Sequence, residues 1–116
     1  MEIWVNPACS KCRAATAALD EAGVAYTVRR YLDDPPTRAE LQEVLARLGL
    51  EPWDIARTAE PEAAALEGLP RTEEARGRWL DALVQHPRLI QRPIITADDG
   101  TTVVARDAES LGRVLR

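Results

Sequence analysis

The chain has 116 residues, 46% of them apolar, with 15 basic and 19 acidic side chains and a formal net charge of −4. That length predicts a single domain over residues 1–116 with enough apolar content for a core without staples. The acidic balance argues against a nucleic-acid partner, and no run of about 20 apolar residues is present to span a membrane. The start "MEIWVNPAC" lacks a basic leader, and its apolar stretch is broken by Asn6 and Pro7. It does not read as a signal peptide, so the expected location is the cytoplasm.

In chain order, "MEIWV" is a short β run ended by "NPA". "CSKCRAATAALDEAG" has helix-forming Ala14, Ala15, Ala17, Ala18 and Leu19, and Gly23 is a suitable terminator. "VAYTVRRYL" reads as a second strand, with Val24, Tyr26 and Val28 alternating against Ala25, Thr27 and Arg29. After "DDPP", Thr37 and Glu40 form a capping-box pattern ahead of the apolar face Leu41, Val44, Leu45 and Leu48, and Gly49 ends that helix. "EPWDIARTAEPEAAALEGLP" predicts short helical turns cut by Pro61 and Pro70. "TEEARGRWLDALVQHP" predicts another helix, with Trp79, Leu80, Leu83 and Val84 on its apolar side. "RPIITADDGTTVVAR" reads as a hairpin turning at Asp99 and Gly100, and "DAESLGRVLR" as a short helix capped by Asp107.

The order β-α-β-α-turns-α-β-β-α sets the fold class. A strand-helix-strand start calls for a parallel right-handed crossover, and the late hairpin adds an antiparallel strand. The expectation is an α/β protein with a four-stranded mixed sheet flanked by helices and a helical insertion.

Cys9 and Cys12 are the only cysteines. Structural zinc needs four ligands, usually as two pairs, and no second CxxC exists. His86, the lone histidine, sits at a helix end and reads as a capping or packing residue. Trp4, Trp53 and Trp79 read as packing. The pair could also be small inert apolar residues. Cys9, however, sits where a strand gives way to a helix, where first-turn N–H groups and the helix dipole favour a thiolate. Lys11 and Arg13 flank it. A CxxC at a helix start beside a βαβ pattern is a thioredoxin-type redox signature. Cys12 is then expected about one turn further in, buried or half-buried, within disulfide reach of Cys9. Asn6 is expected to orient the loop through its side chain.

"NPACSKCRAA", "YLDDPPTRAEL", "IAR", "HPRLIQRPI" and "GTTVVAR" follow one another along nearly the whole chain. In this combination the sequence resembles the arsenate reductase family of glutaredoxin-like proteins, which includes the Spx-type regulators. The resemblance implies a thioredoxin-like core with a helical insertion, and a cis bond between Arg92 and Pro93. It implies Cys9 as the nucleophile and Arg57, Arg92 and Arg106 as ligands of the oxyanion. Arginine forks suit tetrahedral oxyanions and stay charged. Two departures stand out: Val5 precedes Asn6 where some members carry a histidine, and Cys12 stands where those members have a serine.

The implied activity is thiol-dependent reduction of arsenate to arsenite. Cys9 attacks arsenic, the three arginines hold the oxygens, and a second thiol completes the two-electron step. Cys12 could supply that thiol, leaving a Cys9–Cys12 disulfide. No resident cofactor or metal is expected, only an external reductant, glutathione with glutaredoxin or thioredoxin. The expected partners are arsenate or a similar oxyanion and that thiol system, with no membrane, and a monomer is the default. Two alternatives stand beside this one: an Spx-type redox regulator that binds RNA polymerase, and a thiol-disulfide reductase acting on another substrate.

Overall fold

The computed structural model describes residues 1–115. In chain order the elements are β1 (Glu2–Val5), α1 (Ser10–Glu21), β2 (Thr27–Arg30), α2 (Arg38–Leu48), α3 (Arg76–Gln85), β3 (Ile94–Thr96), β4 (Thr102–Val104) and α4 (Ala108–Val114). Three 3₁₀ turns, at Pro52–Asp54, Pro61–Leu66 and Pro87–Leu89, lie around α3. They fall where prolines punctuate the sequence, because proline is tolerated at a first helical position and cannot continue a helix beyond it. The chain forms two compact units: Met1–Asp34 with the segment from Arg92 onward, and Pro35–Gln91.

The first unit is built on one four-stranded sheet in the order β2-β1-β3-β4. β1 pairs parallel to β2, which requires the crossover that α1 supplies, while β1–β3 and β3–β4 are antiparallel. Val28, Ile3, Ile95 and Val103 lie in register across the four strands. Directly opposed residues share a face, so this row points one way. Ile3, Ile95 and Val103 are buried there with Val5, Cys12, Ala15 and Leu19 of α1, and Val114 of α4. The spacing Cys12, Ala15, Leu19 places all three on one stripe of α1. This is the thioredoxin-like sheet and helix arrangement expected from the resemblance.

The second strand departs from expectation. It spans only Thr27–Arg30, and Val28 is 49% exposed. β2 is an edge strand, so its member of the apolar row lies at the sheet margin. Val24 and Tyr26 precede the strand and pack, partly buried, against the core. On the opposite face the Arg29 guanidinium lies 5.5 Å from the Trp4 ring centroid, a cation–π contact. The hairpin turns as expected: Gly100 takes φ 91°, and Ala97 N–H donates to the Thr101 carbonyl at 2.8 Å.

The second unit is helical. Thr37 Oγ1 accepts the Glu40 N–H at 3.1 Å and Glu40 Oε1 accepts the Thr37 N–H at 3.0 Å, which closes the expected capping box. Gly49, at φ 70°, ends α2 in the left-handed conformation that glycine adopts without strain. Leu41, Val44 and Leu45 of α2 and Trp79, Leu80 and Leu83 of α3 are buried. Trp79 meets Trp53 edge-on with centroids 6.0 Å apart and donates through Nε1 to the Pro70 carbonyl at 2.9 Å. His86 ends α3 and donates its N–H to the Ala82 carbonyl, the capping place expected of it.

Candidate active site

Residues 6–9 join β1 to α1 and build a thiol site within the first unit. Asn6 is buried and organises it. Its Oδ1 accepts the Ala8 N–H at 3.0 Å, and its carbonyl accepts the Cys9 N–H at 2.9 Å. Its own N–H donates to Cys12 Sγ at 3.4 Å. The short Asn side chain that mimics a backbone turn thus fixes the loop, and the same residue reaches both cysteines.

Cys9 is the N-cap of α1, with φ −89° and ψ 124°, and its side chain makes no cap hydrogen bond. Its carbonyl accepts the Arg13 N–H at 3.1 Å. The thiol therefore sits at the helix end where first-turn N–H groups converge, without being consumed as a cap. Partial burial pushes the Cys9 thiol up, but the Cys12 N–H, the Arg92 guanidinium, the Cys12 thiol and the Lys11 N–H together bring it down from 9.0 to about 7. Lys11 acts here through its backbone, not through the ammonium charge that its position suggested. Arg13, the other flanking charge, donates through Nη1 to the Pro7 carbonyl at 3.4 Å.

Cys12 is the opposite case. It is 2% exposed and belongs to the core of the first unit. Burial pushes its thiol up to about 11; the Asn6 N–H works against this, and the neighbouring Cys9 reinforces it. Both cysteines are free thiols. Of the pair, Cys9 is therefore the thiol that ionises first, and Cys12 keeps its proton.

Arg92 is buried, 8% exposed, and its guanidinium is among the groups that lower the Cys9 thiol. The bond that follows, to Pro93, is cis, as the resemblance implied. The Pro93 carbonyl accepts the Ala105 N–H at 2.8 Å, which draws the end of β4 alongside. Arg106 follows at once and donates through Nη1 to the Arg92 carbonyl at 2.9 Å. Cys9, Cys12, Asn6, Arg92, Pro93 and Arg106 are thus one connected group.

Arg57 belongs to the second unit. An antiparallel bridge pairs Ala56 with Ile90, and the Arg57 N–H donates to the Leu89 carbonyl at 2.7 Å. Its guanidinium donates through Nε to Glu60 Oε1 at 3.3 Å and through Nη1 to Gln91 Oε1 at 3.5 Å. The sequence reading passed over Glu60 and Gln91. A turn closed by the Glu60 N–H on the Arg57 carbonyl at 3.4 Å brings in the first, and the bridge brings in the second.

No helix among the described residues is long and apolar enough to cross a membrane. Residues 4–114 match the model of the ArsC family. The chain is 60% identical to an uncharacterized protein in the glnII region of Streptomyces viridochromogenes, over 96% of this chain and 95% of that one. It is 36% identical to an arsenate reductase of Neisseria meningitidis, over 99% and 97% of the two chains. The solved arsenate reductase structure from Vibrio cholerae superimposes with a TM-score of 0.81 at 32% identity, covering 99% of this chain and 96% of that one.

Proposed function

The chain belongs to the ArsC family, and from that premise we propose that it is a cytoplasmic arsenate reductase working through the Cys9 thiolate. The observation that carries this reading is the Cys9 thiol lowered to about 7 at a helix N-cap, with the Arg92 guanidinium on it. The relatives named arsenate reductase over nearly their whole length support the substrate.

In the first step the Cys9 thiolate attacks arsenic and forms a sulfur–arsenic bond; an arsenic–oxygen bond breaks, and the leaving hydroxyl takes a proton from solvent and departs as water. Arg92 and Arg106 hold the remaining oxygens and stabilise their charge as the bond forms. Arg57 is the third oxyanion ligand in this reading, by its place in the "IAR" motif that the resemblance rests on. A second thiol then attacks the Cys9 sulfur. The sulfur–arsenic bond breaks, its electron pair passes to arsenic, and arsenite leaves as a disulfide forms.

Cys12 is the candidate for the second thiol. It neighbours Cys9 closely enough for each thiol to shift the other, and its proton can pass to a departing arsenite oxygen. An external dithiol, thioredoxin or a glutathione–glutaredoxin system, then reduces the pair. Arsenate reduction measured separately with the two systems tests this. Cys9→Ser should abolish turnover, and turnover at the wild-type rate would sink the scheme. Disulfide reduction without any arsenate turnover would point instead to a thiol-disulfide reductase.

A further inference from the structure

The guanidinium of Arg57 does not stand alone. Glu60, with a side chain only 15% exposed, spans two arginines. Its Oε1 lies 3.3 Å from Arg57 Nε and its Oε2 lies 3.7 Å from Arg88 Nη2. Arg88 Nε in turn lies 3.7 Å from Glu62 Oε2. The formal charges of these two arginines and two carboxylates sum to zero, and all four lie within the second unit. The hydrogen bonds of the Arg57 side chain use Nε and Nη1, which leaves Nη2 for another acceptor.

We propose that Glu60 sets the oxyanion affinity of Arg57, acting as a built-in counter-carboxylate whose hold on Arg57 is balanced by Arg88. The proposal rests on the reading of Arg57 as an oxyanion ligand. Glu60 orients the guanidinium through Nε while cancelling part of its charge. A tetrahedral oxyanion arriving at the outer edge meets a cation already half neutralised, so it binds less tightly and leaves more readily. Arg88 draws the same carboxylate charge the other way. It moderates the competition, and its side chain is 58% exposed, so it can be altered with little disturbance.

Opposite signs follow for the two partners, which a purely structural role would not produce. Arsenate binding is measured calorimetrically in a Cys9→Ser background, where no covalent step intervenes. Glu60→Gln keeps the shape and loses the charge, and should tighten arsenate about tenfold; Arg88→Gln should weaken it about three- to tenfold by leaving Glu60 to Arg57 alone. The double variant restores zero formal charge and should return close to the parent. Arg57→Gln separates the two levels of the argument. If it leaves arsenate affinity unchanged, Arg57 is no ligand, and both the reading and the proposal fall. If it weakens binding while Glu60→Gln weakens it too or leaves it unchanged, the reading stands and the proposal is overturned. If Glu60→Gln does not fold, Arg88→Gln decides alone: unchanged or tighter binding overturns the proposal.

Discussion

Arg106 donates from Nη1 to the backbone carbonyl of Arg92 at 2.9 Å, so one arginine holds the main chain from which the other reaches Cys9. Two cations that repel each other are tied together through a carbonyl. Charge-assisted bonds of this kind contribute about 1.5–3 kcal/mol. Arg106→Gln is therefore expected to raise the arsenate KM by roughly tenfold or more. Arg106→Lys should not rescue it, because an ammonium lacks the planar fork. Steady-state kinetics on the two variants checks this; a fully active lysine variant would remove the fork from the argument.

The pH dependence of Cys9 follows from its surroundings. A thiol lowered to about 7 becomes thiolate as pH rises through that value, two units below its ordinary 9.0. Alkylation by iodoacetamide should rise through pH 7 and level off above it. Arg92→Gln removes the guanidinium and should move the midpoint upward by about one unit, the equivalent of about 1.4 kcal/mol. An unmoved midpoint would assign the lowering to the first-turn N–H groups and the Cys12 thiol.

Cys12 should affect Cys9 before any disulfide forms. Its S–H is among the donors that favour the Cys9 thiolate. Cys12→Ala deletes that donor and leaves a small cavity beside Ala15 and Ile3, while Cys12→Ser keeps a donor. The alanine variant should shift the Cys9 alkylation midpoint upward and the serine variant less so. Both should stop a single turnover from ending in an intramolecular disulfide, which mass analysis of alkylated protein detects as two protected thiols in the wild type.

Unit two offers a control outside the unit that carries the thiols. Thr37→Ala opens the capping box of α2 and should cost about 1 kcal/mol. Thermal unfolding should register it as a fall of about 3–6 °C. The Cys9 alkylation midpoint should not move.

Much of this was legible in the residues themselves. Thr37, Glu40 and Gly49 mark the ends of α2 because caps are local chemistry, readable within a few positions. Asp107 marks the start of α4 in the same way, accepting the Ser110 N–H at 2.8 Å. The exposure of Val28 was not legible, because alternation shows which residues share a face and not whether a strand lies at an edge. Nor could the flanking charges at Lys11 and Arg13 be ranked against backbone N–H groups without coordinates. Asn6 announced a turn, but that its N–H would meet Cys12 Sγ depends on the path of the loop.

Cys12 packs with Ile3, Ala15, Leu19, Ile95 and Val103, so one half of the thiol pair is also a brick of the core. A disulfide with Cys9 would form on a side chain that belongs to that packing. The reduction potential of the pair is then tied to the folding free energy of its two states, with about 30 mV for each 1.4 kcal/mol of difference. Leu19→Ala, a change in the apolar interior with no part in the chemistry, should alter the redox poise of the protein as well as its melting point. In this molecule a calorimeter and an electrode would be reading the same side chains.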